Sequence, residues 1–324
     1  MRVLVTGGAG YIGSHMARVL LRAGHEVVVV DDLSSGHRGA VPERAVFVEA
    51  SVGDGARMGA VMRAHGVEAI LHFAGRIQVG ESVTAPRLYY AGNVSASMTL
   101  LDAALDAGVR RFVFSSTAAV YGDPEKIPID EDNRTLPSSP YGDTKLAIER
   151  MLGAYGLAYH LRWAALRYFN AAGADVEAGL DERHDPETHL LPIAVDVALG
   201  RRPAVTIFGD DYDTPDGTCV RDYVHVLDLC EAHLAALERL AGGGEVGALN
   251  LGTGSGHSVA QVIDTVRKVS GREVPVLRGA RRAGDPPRLV ASPARAAQVL
   301  GWKARRASLE EIVRDVWQVR SSRT

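Results

Sequence analysis

Cysteine is nearly absent: Cys219 and Cys230 are the only two in 324 residues. That excludes a disulfide framework and a four-thiolate zinc site, and leaves two small buried or surface thiols. Long apolar runs are missing as well, since none approaches the roughly 18 residues of a membrane-spanning helix. The first strand-like segment begins at Arg2, which leaves no room for a signal peptide, so the expectation is a cytoplasmic protein. Excess charge of one sign is also lacking. A net charge of −3 offers neither a basic field for nucleic acid nor a polybasic patch for a membrane. There is no internal repeat and no long low-complexity tract; Gly242-Gly243-Gly244 reads as a flexible loop.

What is present is concentrated in a few segments. Arg2-Val3-Leu4-Val5-Thr6 reads as a strand, Gly7 to Gly13 as a tight turn, and Tyr11 to Ala23 as a helix with Ile12, Met16, Val19 and Leu20 at helical spacing. Gly7 permits the turn, Gly10 lets backbone approach a pyrophosphate, and Gly13 allows close helix packing, while N–H groups at the helix start attract phosphate charge. Glycine-rich turns are common, so this spacing alone is weak. The next apolar run, Val27 to Val30, ends in Asp31, where a carboxylate accepts hydrogen bonds from the adenosine ribose and repels a 2′-phosphate. The expected cofactor is therefore NAD; Arg38 is the one nearby cation that would favour NADP instead.

Further strands are expected at Ala45 to Glu49, Ala69 to Ala74, Arg111 to Ser116 and Trp163 to Phe169, alternating with helices such as Leu100 to Ala107. Length suggests about two domains. The pattern predicts an α/β protein: a Rossmann-type doubly wound parallel sheet over residues 1–170, with about 222–252 packing back on it. Residues 171–324 are read mainly as a smaller α/β substrate-binding lobe.

Mid-chain, Ser139 reads as an N-cap and Pro140 as the first helical residue, with Ile148, Met151, Leu152 and Tyr155 on an apolar face. Tyr141 and Lys145 share another face, one turn apart. A tyrosine ionises near pH 10, so acting as a base near neutrality requires an adjacent positive charge, which Lys145 and an oxidised nicotinamide would provide. Phe114-Ser115-Ser116-Thr117 ends a strand and delivers hydroxyls to the same carboxyl edge.

With those residues in place, the chain resembles the extended short-chain dehydrogenase/reductase superfamily and, within it, the UDP-glucose 4-epimerase family. The resemblance runs through His72-Phe73-Ala74-Gly75, Val120-Tyr121-Gly122, Ser139-Pro140-Tyr141-Gly142, Leu166-Arg167-Tyr168-Phe169-Asn170, Ile207-Phe208-Gly209, Val220-Arg221-Asp222-Tyr223-Val224-His225-Val226 and Arg281-Arg282-Ala283-Gly284-Asp285. It implies C4 epimerisation of a UDP-sugar, with Tyr141 as base, Lys145 holding the nicotinamide ribose and Thr117 on the proton path. Thr117 stands where most members carry serine, which adds a methyl and restricts χ1. The resemblance further implies cofactor contacts at Gly7, Gly10, Tyr11, Ile12, Gly13, Asp31, Ser51, Phe73, Ala74, Gly75, Asn93, Ser115 and Tyr168. Substrate contacts are implied at Asn170, His189, Leu190, Phe208, Arg221, Tyr223, Arg282, Asp285 and Leu289. Arg221 and Arg282 would grip the diphosphate. The usual homodimer would pair helices such as Asn93 to Ala107 and Pro140 to Gly156.

Three departures matter. Ser51 replaces an Asp, and Ile77 a Lys next to which Arg76 could substitute. Leu289 replaces a Tyr found in members restricted to plain hexoses, and leaves room beside the sugar 2-position for an N-acetyl group. Ala118-Ala119 after Thr117 argues against a sugar-nucleotide 4,6-dehydratase, which needs an acid and base there. Epimerases of UDP-pentoses or UDP-glucuronate, and a non-catalytic NAD sensor, are the alternative readings. No metal site is expected: His184 and His189 among Asp181, Glu182 and Asp185 match no zinc signature and read as a solvated loop. The Asp211, Asp213 and Asp216 run fails the calcium-loop pattern. His225 and His233 read as helix packing, and Arg305 to Arg314 as a surface helix.

Overall fold

The short apolar runs become a central sheet buried on both faces in the computed structural model, which describes residues 1–282 and 286–323. Strands β1 (Arg2–Thr6), β2 (Glu26–Asp31), β3 (Val46–Glu49), β4 (Ala69–His72), β5 (Arg111–Thr117) and β6 (Arg162–Tyr168) join the later strand Gly247–Leu251 in seven-stranded order. That order is 247–251, β6, β5, β4, β1, β2, β3, and every pairing is parallel. Chain direction reverses its march between β1 and β4, so a crevice opens at their carboxyl ends.

Alternate side chains feed two cores. Val3, Val5 and Val113 pack on one face with the helices Tyr11–Arg22 and Val226–Ala241. Leu4, Phe112 and Phe114 pack on the other with Gly55–His65, Ala96–Asp106 and Pro140–Tyr159. A third cluster joins the helices Leu190–Ala198, Val259–Ser270 and Leu309–Ser321 and forms the smaller lobe. Among the described residues no helix is long and apolar enough to cross a membrane.

Gly7 and Gly13 hold the first turn closed. Gly7 has φ +68°, and a Cβ on it would stand 2.5 Å from Ala74 N; a Cβ on Gly13 would stand 2.2 Å from Gly7 O. The turn and the helix after it are pressed onto each other and onto the end of β4, as the sequence reading required.

Two details differ from the sequence reading. The helix expected from Arg305 starts only at Leu309, because the amides of Arg305 and Arg306 both donate to buried Asp228 Oδ2, at 2.8 Å each. It lies on the surface as expected, with Arg314 exposed and Leu309, Ile312 and Val313 buried beneath it. His225 does not pack inside a helix but caps one: its Nδ1 accepts from Leu227 N at 3.1 Å. His233 does pack, against Phe73 and Tyr168.

Candidate active site

The crevice begins with the first turn. Gly10 is the N-cap of the helix Tyr11–Arg22 and supplies no side-chain cap, so the amides at Tyr11 and Ile12 are the groups a phosphate would meet. Tyr11 sends its hydroxyl away from this turn to Gly173 O, at 2.7 Å. Asp31, buried at the end of β2, accepts from Ala9 N and Leu33 N, both at 2.9 Å. A carboxylate has about four acceptor positions, so two remain for ribose hydroxyls. Arg38 lies over the Phe47 ring at 4.3 Å. The glycine cradle that a Cβ would fill, the uncapped helix start and the acidic strand end together fit an adenine dinucleotide.

Other expected cofactor residues fall into two groups. Phe73, Ala74 and Gly75 follow β4 at the mouth of the crevice, with Phe73 stacked near His233. Asn93 works behind them: Oδ1 accepts from Arg76 N at 2.8 Å, while Nδ2 donates to Arg76 O and Thr144 Oγ1. It is 1% exposed, so it shapes the 73–76 loop rather than presenting a free amide. Ser51 is exposed and caps its own turn by accepting from Gly53 N.

The reacting groups converge from two elements. Ser139 Oγ accepts from Gly142 N at 3.2 Å and starts the helix Pro140–Tyr159 at the edge of β5. A Cβ on Gly142 would stand 2.6 Å from Ala119 O, which is why the residue after Tyr141 is glycine. Lys145, 3% exposed, donates to Ser115 O at 2.9 Å, with its Nζ 5.9 Å from the Tyr141 ring centre. Thr117 Oγ1 accepts from Ala119 N at 3.1 Å, leaving its hydroxyl hydrogen free to be donated toward the neighbouring Tyr141 phenol. Ser115 Oγ bonds Tyr168 OH.

Electrostatics here are set by burial. It lowers the Lys145 ammonium to about 8, with Glu149 opposing. Burial raises the Tyr141 phenol, with the Thr117 hydrogen bond opposing. His72 sits neutral behind the site, lowered to about 3 by burial and by Lys145, and bridges Thr6 and Ser97 through its two nitrogens. Sequence reasoning missed what lies beneath Lys145. Glu149, one turn on, meets Arg167 of β6 through Nε at 3.0 Å and Nη2 at 2.6 Å, and also accepts from Ser116. Arg167 Nη1 donates to Tyr121 OH, which donates to Asn250. The i, i+4 step from Lys145 to Glu149 was the available signal, but its partner lies on another strand.

On the substrate side, Asn170 begins a short strand beside Tyr223–His225. Arg221, mostly buried, pairs in register with Leu289. Leu289 packs partly buried against a cluster of Val120, Tyr121, Ile129 and Leu146, beside Phe169. The Arg282 guanidinium lies 4.1 Å from the Phe208 ring centre, which is 39% exposed. Tyr223 is buried, and Leu190 opens the helix Leu190–Ala198. Asp285 lies outside the described residues.

The expected solvated loop at residues 181–189 is a correction. Asp181, Glu182 and Glu187 are buried there, because Arg320 reaches in from the last helix to Asp181 Oδ2 at 2.9 Å and Asp196 Oδ1 at 2.7 Å. His189 bonds Glu182 through Nδ1 and keeps nearly half its side chain exposed. Against burial, the two imidazoles hold Glu182 down at about 2. His184, which burial alone would lower, is raised to about 10 by hydrogen bonds to Glu182 and Glu187.

Fold and site define a Rossmann-type enzyme of the tyrosine–lysine class, with the reacting hydroxyls at the carboxyl edge of a parallel sheet. Residues 3–252 match the NAD dependent epimerase/dehydratase family, and the chain belongs to it. It is 48% identical over 317 residues to a UDP-glucose 4-epimerase of Halalkalibacterium halodurans, covering 98% of this chain and 95% of that one. A solved UDP-glucose 4-epimerase from Brucella ovis, in complex with NAD, is 48% identical with TM-score 0.95, over 98% of this chain and 97% of the other. Another, from Stenotrophomonas maltophila with bound NAD and formylated UDP-arabinopyranose, is 44% identical with TM-score 0.95, over 100% and 99%.

Because Glu149 and Arg167 are 5% and 8% exposed, removing one charge strands the other. Glu149→Gln is expected to lose about 3–5 kcal/mol in urea unfolding, and adding Arg167→Met to recover part of it. A loss under about 1 kcal/mol would mean the pair is readily hydrated.

Proposed function

We propose that the chain interconverts UDP-glucose and UDP-galactose by inverting C4 through a 4-keto sugar nucleotide. The observation that carries this is the convergence of Thr117, Tyr141 and Lys145 at one sheet edge, followed by Ala118-Ala119 with no acid or base for elimination. NAD, held by the Gly7–Gly13 turn and Asp31, supplies the hydride acceptor and donor when bound. Tyr141 takes the proton of the sugar 4-hydroxyl, Thr117 orients the 4-oxygen, and Lys145 holds its ammonium on Ser115 O beside them. The ketone is planar at C4. Return of hydride to its other face inverts the centre, and Tyr141 gives its proton back. Arg221 and Arg282 fit the diphosphate, leaving the sugar to turn about it.

We assign the sugar 2-position to the neighbourhood of Leu289, whose in-register partner is Arg221. Leucine there leaves room for an N-acetyl group. The chain is also read as a homodimer. Tyr155 OH donates to Asp102 at 2.6 Å, so the helices Ala96–Asp106 and Pro140–Tyr159 lie side by side. Near them Leu88, Tyr90, Met98, Leu157 and Tyr159 expose 44–88% of their surface, more apolar side chain than a monomer surface needs.

Incubation with UDP-galactose should give UDP-glucose without added reductant. Tyr141→Phe should cut turnover by about 100-fold or more, the scale of a lost general base, while keeping bound NAD; unchanged turnover would remove Tyr141 from the mechanism. UDP-GalNAc should yield UDP-GlcNAc, and Leu289→Tyr should lose that product while keeping the hexose reaction. If wild type excludes both N-acetyl sugars, the pocket reading fails. Light scattering should give twice the chain mass and Met98→Glu a shift to monomer; a monomeric wild type would refute the dimer.

A further inference from the structure

We infer that Glu182, His184, Glu187 and His189 form a structural divalent-metal site of zinc type beside the cofactor turn. One donor atom from each of the four side chains lies within 4.8 Å of all the others. In a tetrahedral shell with metal–ligand bonds near 2.0–2.1 Å, donors stand roughly 3.3 Å apart. His184 Nδ1 lies 3.2 Å from Glu182 Oε1 and 3.6 Å from Glu187 Oε1, and His189 Nδ1 closes on the same Glu182 oxygen. The two His184 edges thus lie within a few tenths of an ångström of a coordination edge, while His189 is in direct hydrogen-bond contact with Glu182 and would move apart to admit the ion.

The surroundings suit a metal as well. Both glutamate side chains are 5% exposed, and Arg320 answers only part of that buried charge, since its short pairs go to Asp181 and Asp196 and it stands 3.8 Å from Glu187. A divalent ion with two neutral imidazoles and two carboxylates leaves the cluster with no net charge. Glu187 Oε1 is fixed by the amides of Thr188 and His189, at 2.9 and 3.0 Å. Its buried Oε2 takes no hydrogen bond among the described residues and sits 3.8 Å from Arg320. Arg320 also donates to Glu182 O at 2.5 Å. Such outer partners orient metal ligands. Two nitrogens and two oxygens with no thiolate suit zinc, and cobalt as its spectroscopic substitute, over a soft monovalent ion.

The place gives the site its role. His37, just beyond β2, bonds Arg183 O through Nε2 at 3.2 Å, and Tyr11 reaches Gly173. The 182–189 segment therefore lies where the cofactor turn, the smaller lobe and the last helix meet. A metal there would clip the segment down without touching Thr117, Tyr141 or Lys145.

The test is a titration of the chelator-treated full-length chain, its NAD retained, with zinc chloride by calorimetry and cobalt chloride by visible absorption. One metal per chain is expected, with the intense visible bands of tetrahedral cobalt that zinc abolishes. His184→Gln should weaken binding by about 100-fold or more, at least the scale reported for outer-shell partners. Wild type should also gain Tm with zinc. Absence of stoichiometric binding in wild type would overturn the site, as would equal binding by wild type and the variant, since the metal would then sit elsewhere. Should His184→Gln fold poorly, anomalous diffraction at the zinc edge from wild-type crystals decides: density among the four side chains supports the site, and its absence refutes it.

Discussion

A buried ammonium resting on a single carbonyl fixes the site. The bond from Lys145 Nζ to Ser115 O, 2.9 Å long, ties the helix that carries Tyr141 to the strand that carries Thr117. That tie sets Thr117, Tyr141 and Lys145 together at one edge of the sheet. Because Lys145 is 3% exposed, its charge is costly unless answered nearby. The answer is Glu149 one turn below, itself clamped by Arg167, which Tyr121 and, through it, Asn250 brace from two further segments. The network therefore does two tasks at once: it moderates the desolvation of Lys145, and it locks the helix, β6 and the strand Gly247–Leu251 in a single arrangement.

Much of this was legible in the sequence where the cause is local. The Gly7–Gly13 turn, the Ser139-Pro140 helix start and the ends of the first six strands depend on residues within a few positions of one another, so spacing and capping residues reveal them. Thr117, Tyr141 and Lys145 could be paired because a parallel sheet brings every carboxyl end to one edge. Arg167 could not be paired with Glu149 that way. Its partner is set by the register of β5 against β6, which no local signal carries. The same holds for Asp228, whose grip on Arg305 and Arg306 delays the last helix.

The 181–189 segment is the plainest case of a misleading surface. Read alone, its acids and histidines are hydrophilic and suggest solvent. In the fold Asp181, Glu182 and Glu187 are buried because Arg320, more than 130 residues later, brings its guanidinium into them, while Asp185 and His189 stay exposed. Polarity in sequence reports exposure only when the opposite charge does not arrive from elsewhere.

Burial also sets what Tyr141 needs in order to act as a base. Desolvation raises its phenol, and the Thr117 hydrogen bond is the opposing effect. Lys145, lowered to about 8 by the same burial, still carries its proton near neutral pH and stands beside the phenol as a cation, 5.9 Å from its ring centre. Each pK unit separating the two groups corresponds to about 1.4 kcal/mol. An oxidised nicotinamide would add a second positive charge to that of Lys145. Burial that holds the phenol protonated thus makes its use as a base depend on positive charge beside it, which Lys145 supplies and an oxidised nicotinamide would reinforce.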